Sequence, residues 1–120
     1  MKSKIPLIFH FNQDLVEFSA LASRVCYRGL LRTLLESPVR ANIHISGTLV
    51  QALNWLDPEP LDLIRTGLAS GQFELMGSTH AQNILIASDP WDNALQIRLH
   101  REILEETFGL TPTTFWNPER

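Results

Sequence analysis

Ala41-Asn42-Ile43-His44-Ile45-Ser46-Gly47 contains the transition on which the fold prediction depends. Its first five residues are partly β-branched and alternate weakly in polarity, which predicts a strand. Ser46-Gly47 then opens a helix whose apolar residues are Leu49, Leu53 and Leu56. A strand followed at once by a helix is the repeating unit of α/β proteins.

The same order of strand and helix extends along the rest of the chain. Further strands are predicted at Ile5–Phe11, Gln72–Met76 and Thr113–Trp116. Further helices are predicted over Leu15–Leu35 with a break near Gly29, from the N-cap Asp57 to Ser70-Gly71, and from the N-cap Asp89 to Gly109. Because parallel strands need helical crossovers of this kind, the sequence predicts an α/β fold with parallel strands covered by helices.

Two of these helices carry apolar stripes that predict which of their faces pack on the core. The stripe of the first helix consists of Leu15, Phe18, Leu21, Ala22, Val25, Leu30, Leu31, Leu34 and Leu35. The stripe of the last helix consists of Trp91, Leu95, Leu99 and Ile103, and the same face is broadened by Ala94, Ile97, Leu104 and Phe108. His100 lies off this stripe, near Arg101 and Glu105, and is predicted to be solvated or paired on the helix surface.

Composition limits the classes of partner and compartment. The 120 residues have a net charge of −3 and no run of Lys or Arg, so neither a nucleic acid nor an anionic membrane is expected as a partner. No stretch is long and apolar enough for a membrane span, and the first residues do not form a signal peptide. The single cysteine, Cys26, is predicted to be a buried thiol, and its isolation favours a cytoplasmic protein.

Polar side chains cluster just after each predicted strand. They are His10 and Gln13, then His44 and Ser46, then Glu74, Ser78 and His80, and finally Glu119. The carboxyl ends of parallel strands meet at one edge of an α/β fold and carry its site. These side chains could therefore converge although they are distant in sequence.

Glu119 is the first of the candidate catalytic residues. It follows the last predicted strand and comes three residues after Trp116. A tryptophan can stack on a sugar ring, while a carboxylate attacks or stabilises an oxocarbenium-like centre. Glu74 lies inside a strand and either hydrogen-bonds a sugar hydroxyl, orients the nucleophile or occupies an ordinary outward-facing position.

Other enzyme classes are disfavoured by missing motifs. No glycine-rich phosphate loop and no Gly-x-Ser-x-Gly elbow occurs in the sequence. No His-x-His or His-x-x-x-His pair is present, so no metal is expected. A metal-dependent deacetylase or phosphatase that uses His10, His44 and His80 remains an alternative interpretation.

Four stretches together resemble the N-terminal section of family 57 glycoside hydrolases, a group of α-amylases, 4-α-glucanotransferases and glucan branching enzymes. They are His10-Phe11-Asn12-Gln13-Asp14, Ser70-Gly71-Gln72-Phe73-Glu74-Leu75, Gln96-Ile97-Arg98-Leu99-His100-Arg101-Glu102 and Phe115-Trp116-Asn117-Pro118-Glu119-Arg120. The first corresponds to the family's His-x-His-Gln-Pro motif and the second to its Gly-Gln-x-Glu strand. The third resembles the helix before the catalytic strand, and the fourth the motif of the nucleophilic glutamate.

The resemblance implies a distorted (β/α)7 barrel and a retaining mechanism on α-glucans, with no required metal or cofactor. It implies that Glu119 is the nucleophile and that Trp116 lies at a sugar subsite. It also assigns His10, Gln13 and Glu74 to the substrate site.

Two departures from the family pattern qualify these assignments. Asn12 replaces the second histidine of the first motif, and Asp14 replaces its proline. The family's acid/base aspartate lies on a later strand, and no residue of this sequence matches its motif.

Four parallel strands cannot close a barrel. The sequence is therefore expected to be a single fragment, residues 1–120, of an incomplete barrel, inactive alone and prone to self-association or to pairing with the missing remainder. The alternative is a non-catalytic carbohydrate-binding or assembly module, with Trp116, Trp91 and Trp55 as its platforms.

Overall fold

A computed structural model describes residues 5–13 and 15–117 as one sheet with helices on one side. Its strands are β1 (Ile8–Phe11), β2 (Ala41–Ile45), β3 (Phe73–Gly77) and β4 (Thr114–Phe115). Its helices are α1 (Val16–Ala22), α2 (Arg28–Glu36), α3 (Gly47–Leu56), α4 (Glu59–Ala69) and α5 (Pro90–Phe108). A π-helical turn spans Ser23–Tyr27, and a 3-10 turn spans Leu85–Ala87. The strands run parallel in the order β1-β2-β3-β4, which confirms the predicted α/β fold.

The two faces of the sheet differ in chemistry. Side chains alternate along a strand, and in β2 Ala41, Ile43 and Ile45 face the helices while Asn42 and His44 face the other way. The helix-facing residues join one apolar core: Phe11, Tyr27, Leu31, Leu34, Ala41, Ile43, Ile45, Leu49, Val50, Leu53, Leu61, Ile64, Phe73, Leu75 and Leu104. The opposite face, here called the open face, is therefore left to the polar side chains.

The connection from β1 to β2 is one helical segment in three parts rather than two helices. The predicted break near Gly29 is wrong, because Gly29 lies within α2 and the irregularity is the π-helical turn at Ser23–Tyr27. Ser23 and Tyr27 are buried at the two ends of this turn. The predicted stripe is also wrong in part, since Val25 is 73% exposed and Leu15, Phe18 and Leu21 are exposed too. Cys26 lies in the same turn and is exposed, not buried as predicted.

The side chain of Ser23 points inward because it bonds to Asp57. Asp57 Oδ2 accepts hydrogen bonds from Ser23 Oγ and Arg28 Nε, and its Oδ1 lies 2.6 Å from Arg28 Nη2. Burial alone would raise the pKa of Asp57, but the bonds from Ser23 and Arg28 outweigh it and lower that pKa. The prediction of Asp57 as an N-cap is wrong, because Pro58 takes the N-cap position of α4. The carboxylate instead joins the first crossover to the second.

Gly71 and the side chain of Gln72 determine the path of the segment between α4 and β3. Gly71 has a φ of 71°, a left-handed conformation that reverses the chain after α4. The side-chain nitrogen of Gln72, Nε2, donates to the backbone carbonyls of Leu34, Ser37 and Val39, at 2.6–2.9 Å. These bonds attach the end of α2 to the start of β3.

Helix α5 buries only part of the face that its stripe predicts, since Leu104 lies in the core and Ile103 and Phe108 pack against it. Its ends are as predicted, since Asp89 accepts from the Trp91 amide and Gly109 adopts the left-handed conformation. However, Trp91 is 70% exposed and Leu99 is also exposed, whereas His100 and Leu104 are fully buried. The helix therefore inserts a histidine, not a tryptophan, between itself and the sheet.

The outer edge of β1 carries no paired strand among the described residues. Ile5, Leu7 and Ile8 are exposed there, and at the other end of the sheet Phe115 is exposed in β4. A parallel sheet is ordinarily covered on both faces and at its edges.

No helix among the described residues is long and apolar enough to cross a membrane.

Two helix glycines provide a matched test of this packing. A methyl group at Gly67 in α4 would lie 2.1 Å from Phe73 Cδ2, whereas one at Gly29 in α2 would meet no atom within 4 Å. Gly29→Ala should stabilise the fold by about 0.5–1 kcal/mol through helix propensity. Gly67→Ala should instead destabilise it by about 1–3 kcal/mol, since the buried Phe73 ring must move. Denaturant unfolding measures both changes, and equal effects would contradict the described packing.

Candidate functional site

Two histidines on neighbouring strands form the centre of the candidate site. His10 of β1 and His44 of β2 are register partners on the open face. Their Nδ1 atoms lie 2.8 Å apart, and the rings stack with centroids separated by 4.7 Å. The sequence predicted polar residues at the ends of these strands, and the structure brings this pair into direct contact.

Trp116 completes the cluster from the opposite edge of the sheet. It follows β4, and its backbone N–H donates to the Gly77 carbonyl at 2.7 Å. Its ring centroid lies 5.8 Å from that of His10 and 6.3 Å from that of His44. Its indole Nε1 is buried without a hydrogen-bond partner among the described residues. His10 and Trp116 therefore lie close together at the carboxyl end of the sheet.

His44 is neutral at neutral pH. Its side chain is 0% exposed, although it stands on the open face. Burial, reinforced by the neighbouring rings of His10 and His100, lowers the pKa of His44 to about 3. The direct contact of His44 with His10 was not predicted, because it joins residues 34 positions apart.

The prediction that His100 is a surface residue is wrong. His100 Nδ1 accepts a hydrogen bond of 2.8 Å from the Ser78 amide, so Nε2 carries the proton and donates to the Ile45 carbonyl, also at 2.8 Å. Burial lowers the pKa of His100 below its usual value. The ring therefore joins the ends of β2 and β3 as a neutral brace. A count of apolar residues cannot find such a brace, since histidine scores as polar.

Glu74 and Gln13, the other predicted substrate residues, lie outside this cluster. Glu74 is exposed on β3, where its register partner is Asn42, one step nearer the amino ends of the strands than His10 and His44. It borders a cavity of about 300 Å³ together with Arg40 and Gln72. The Gln13 side-chain oxygen accepts from the Leu15 amide at 3.1 Å and so helps to start α1.

Glu119, the predicted nucleophile, lies outside the described residues, as does Asp14 of the first motif. The last described residues, Trp116 and Asn117, fix where the chain leaves β4 at the carboxyl end of the sheet.

His80 lies apart from the pair formed by His10 and His44. It lies against the start of α3, where a methyl group at Gly47 would lie 2.1 Å from His80 Nδ1. The backbone carbonyl of His80 accepts from the Gly47 amide, and its Nε2 lies 3.3 Å from Gln51 Oε1. Across residues 5–13 and 15–117, no three His, Cys, Asp or Glu side chains are arranged to hold a metal. The set of His10, His44 and His80 proposed for a deacetylase is therefore not assembled.

A further contact at this edge was not found by sequence reasoning. Asn12 Nδ2 donates to Gln82 Oε1 at 2.9 Å and joins the end of β1 to the loop after β3. Gln82 has a φ of 54°, an uncommon backbone conformation for a residue with a side chain. Asn12 therefore has a structural partner at the position where the resembling motif has histidine.

Comparison with known proteins identifies the family. The model of glycosyl hydrolase family 57 matches residues 7–120. An α-amylase of Pyrococcus horikoshii is 35% identical over 97% of this chain and 20% of its own length, and an α-amylase of Pyrococcus furiosus is 33% identical over 100% and 19%. The crystal structure of 4-α-glucanotransferase from Thermococcus litoralis matches with a TM-score of 0.82 and 28% identity, over 95% of this chain and 19% of that one.

These matches extend over nearly all of the chain but only part of each relative. The chain spans about a fifth of the length of the curated relatives it matches. Its four parallel strands correspond to a portion of the (β/α)7-type barrel of the matched glucanotransferase. The predicted resemblance is confirmed, and this chain belongs to glycosyl hydrolase family 57.

Proposed function

We propose that this chain forms the nucleophile-bearing strands of a retaining glycoside hydrolase or glucanotransferase that acts on α-glucans. The observation that carries this proposal is the grouping of Trp116 with His10 and His44 at one end of the sheet. An aromatic ring beside imidazoles suits a sugar, whose apolar face stacks and whose hydroxyls hydrogen-bond. Family membership and the names of the relatives, α-amylase and 4-α-glucanotransferase, support α-glucan as the substrate class.

Glu119 takes the role of nucleophile in this proposal. It follows Trp116 by three residues, directly after the strand that adds Trp116 to the cluster. In retaining hydrolysis a carboxylate attacks the anomeric carbon and forms a glycosyl-enzyme ester, which water or an acceptor sugar then cleaves. His10 and Trp116 would hold the sugar ring in place while this bond forms.

The acid/base group comes from outside these 120 residues in this proposal. Retaining enzymes place the second carboxyl group about 5–5.5 Å from the nucleophile. Glu74 stands one step nearer the amino ends of the strands than His10 and His44, in register with Asn42. It is therefore proposed as a substrate contact, together with Gln13, and the chain alone should lack hydrolytic activity.

The nucleophile can be tested with a substrate whose leaving group needs no protonation. The chain should release no reducing ends from amylose, because the departing sugar needs an acid. It should release fluoride from α-maltosyl fluoride faster than the Glu119→Gln variant does, by at least about tenfold, since removal of a nucleophile costs orders of magnitude in rate. A fluoride electrode and a reducing-sugar assay measure the two rates.

Glu106→Gln is the matched control, because Glu106 is an exposed carboxylate of α5. Its fluoride release should equal that of the unaltered chain. Amylose hydrolysis by the chain would show that an acid lies within it. Equal fluoride release from the Glu119 and Glu106 variants would remove Glu119 from its role.

Sugar binding provides an independent test that involves no bond cleavage. Maltohexaose should quench the tryptophan fluorescence of the chain saturably, because a sugar ring stacks on Trp116. Trp116→Phe should weaken binding by about three- to tenfold, the worth of part of an aromatic stacking contact. Trp55→Phe is the control, since Trp55 is 83% exposed on α3.

Three outcomes of this titration are informative. Equal affinity of the Trp116 and Trp55 variants would contradict the proposed subsite. Binding without any fluoride release dependent on Glu119 would favour the alternative function, a non-catalytic carbohydrate-binding module. No quenching of the unaltered chain would count against both functions.

We also propose that the β1 edge is covered in the working protein, either by the remainder of a barrel or by a second copy. Its exposed apolar residues Leu7 and Ile8 support this proposal. Light scattering of the chain alone should show concentration-dependent association, and Ile8→Lys should shift it towards monomer by placing a charge on the edge strand. Trp55→Lys on α3 should leave the association unchanged. A monodisperse monomer at all concentrations would overturn coverage by a second copy.

A further inference from the structure

Helix α1 and the π-helical turn after it bury polar side chains and expose apolar ones. Ser19 and Ser23 are both 0% exposed, and Ser23 Oγ donates to Asp57 Oδ2. The helix packs against α3 on this side. An amphipathic helix of a globular protein ordinarily buries its apolar face. The arrangement here is the reverse, so the outer face of this segment is the apolar one.

Three apolar side chains form a ridge along that outer face. Phe18, Leu21 and Val25 are 47%, 50% and 73% exposed. Their spacing of three and four residues places them on one side of the helix, opposite the buried serines. A single exposed apolar residue is normal on a protein surface, whereas a continuous ridge of them indicates an interface. We call Phe18, Leu21 and Val25 the outer ridge.

Two opposite charges stand beside the ends of the outer ridge. Glu17 lies next to Phe18 and Arg24 lies next to Val25, and both charged side chains are exposed. They are seven residues apart, about two helical turns, and therefore lie on the same flank of the helix. Neither forms an ion pair with any residue that the structure describes.

We propose that the outer ridge binds a second copy of this chain, with the two α1 helices antiparallel about a two-fold axis at Leu21. This symmetry exchanges the ends of the ridge, so Phe18 of each copy packs against Val25 of the other. It also places Glu17 of each copy beside Arg24 of the other, on the same flank. A parallel pairing would leave both charges without partners. The self-complementary charges therefore favour a second copy over an unrelated protein as the occupant.

The interface is small, so the dimer should be weak. Each copy contributes three apolar side chains and two charges, which is less than a standard interface of about 1,600 Å². We expect a dissociation constant on the order of 100 μM. The exposed ion pairs add little affinity, but they determine the orientation of the two helices.

Sedimentation equilibrium across a range of concentrations tests the pairing. All chains carry Ile8→Lys, so that the β1 edge does not contribute, and a reducing agent prevents disulfides through the exposed Cys26. The Ile8→Lys chain should show a monomer–dimer equilibrium. Leu21→Lys should raise the dissociation constant at least about tenfold, because it places a charge at the centre of the interface. Thr33→Lys, at an exposed position of α2, is the matched control and should leave the constant unchanged.

Exchange of the two charges identifies the partner as a second, antiparallel copy. Glu17→Arg and Arg24→Glu should each weaken the dimer at least about fivefold, because two attractions become two repulsions. An equimolar mixture of these two variants should dimerise as well as the Ile8→Lys chain. In the mixed dimer the introduced arginine faces the introduced glutamate, and the remaining Glu17 faces the remaining Arg24. Circular dichroism confirms that each variant is folded.

Three results would overturn the proposal. A monomer at all concentrations would leave the outer ridge to another occupant, such as the remainder of a longer family member. A dimer that Leu21→Lys does not weaken would place the contact on another surface. Folded charge variants that remain weakened when mixed would exclude the antiparallel arrangement. None of these results depends on sugar binding or on Glu119, so the proposed function is tested separately.

Discussion

Every crossover in this chain lies on the same side of the sheet, and the site depends on that constraint. Right-handed connections between sequentially adjacent parallel strands place all the helices on one face. That face must be apolar, so Ile43 and Ile45 of β2 point into it. The other residues of each strand carry no such requirement, and His10 and His44 occupy the open face in register. The packing of the core thus leaves a row of positions available for chemistry.

Backbone groups hold one of the polar side chains near this row in place. His100 reaches from α5 and joins the ends of β2 and β3 through two backbone groups. Among the described residues, the buried charge lies elsewhere, where Asp57 and Arg28 join the first two crossovers.

Sequence reasoning succeeded where local chemistry determines structure. The bounds of β2 agree with the prediction, and both ends of α5 follow from Asp89 and Gly109. It failed where tertiary contacts decide. Asp57 bonds to Arg28 and Ser23 instead of capping its own helix. The π-helical turn has no local sequence pattern that would predict it.

The site could be predicted in the same uneven way. The positions of His10 and Trp116 at strand ends follow from the alternating pattern, but their proximity does not, because β1 and β4 are the two edge strands of the sheet. The contact of His10 with His44 requires the strand register, and the burial of His100 requires knowledge of which face of α5 meets the sheet. Neither the strand register nor the buried face of α5 can be deduced from a single sequence. Glu119 lies outside the described residues.

The segment Gly71-Gln72-Phe73-Glu74 has a consequence for how family motifs are interpreted. Three of its four residues have architectural tasks: Gly71 turns the chain, Gln72 binds three carbonyls, and Phe73 packs against Gly67. Only Glu74 turns its side chain to the open face. A protein could therefore lose catalysis altogether and still retain most of this signature. The motif is therefore evidence mainly of common ancestry and of the barrel fold, and Glu74 is the one residue in it that bears on chemistry.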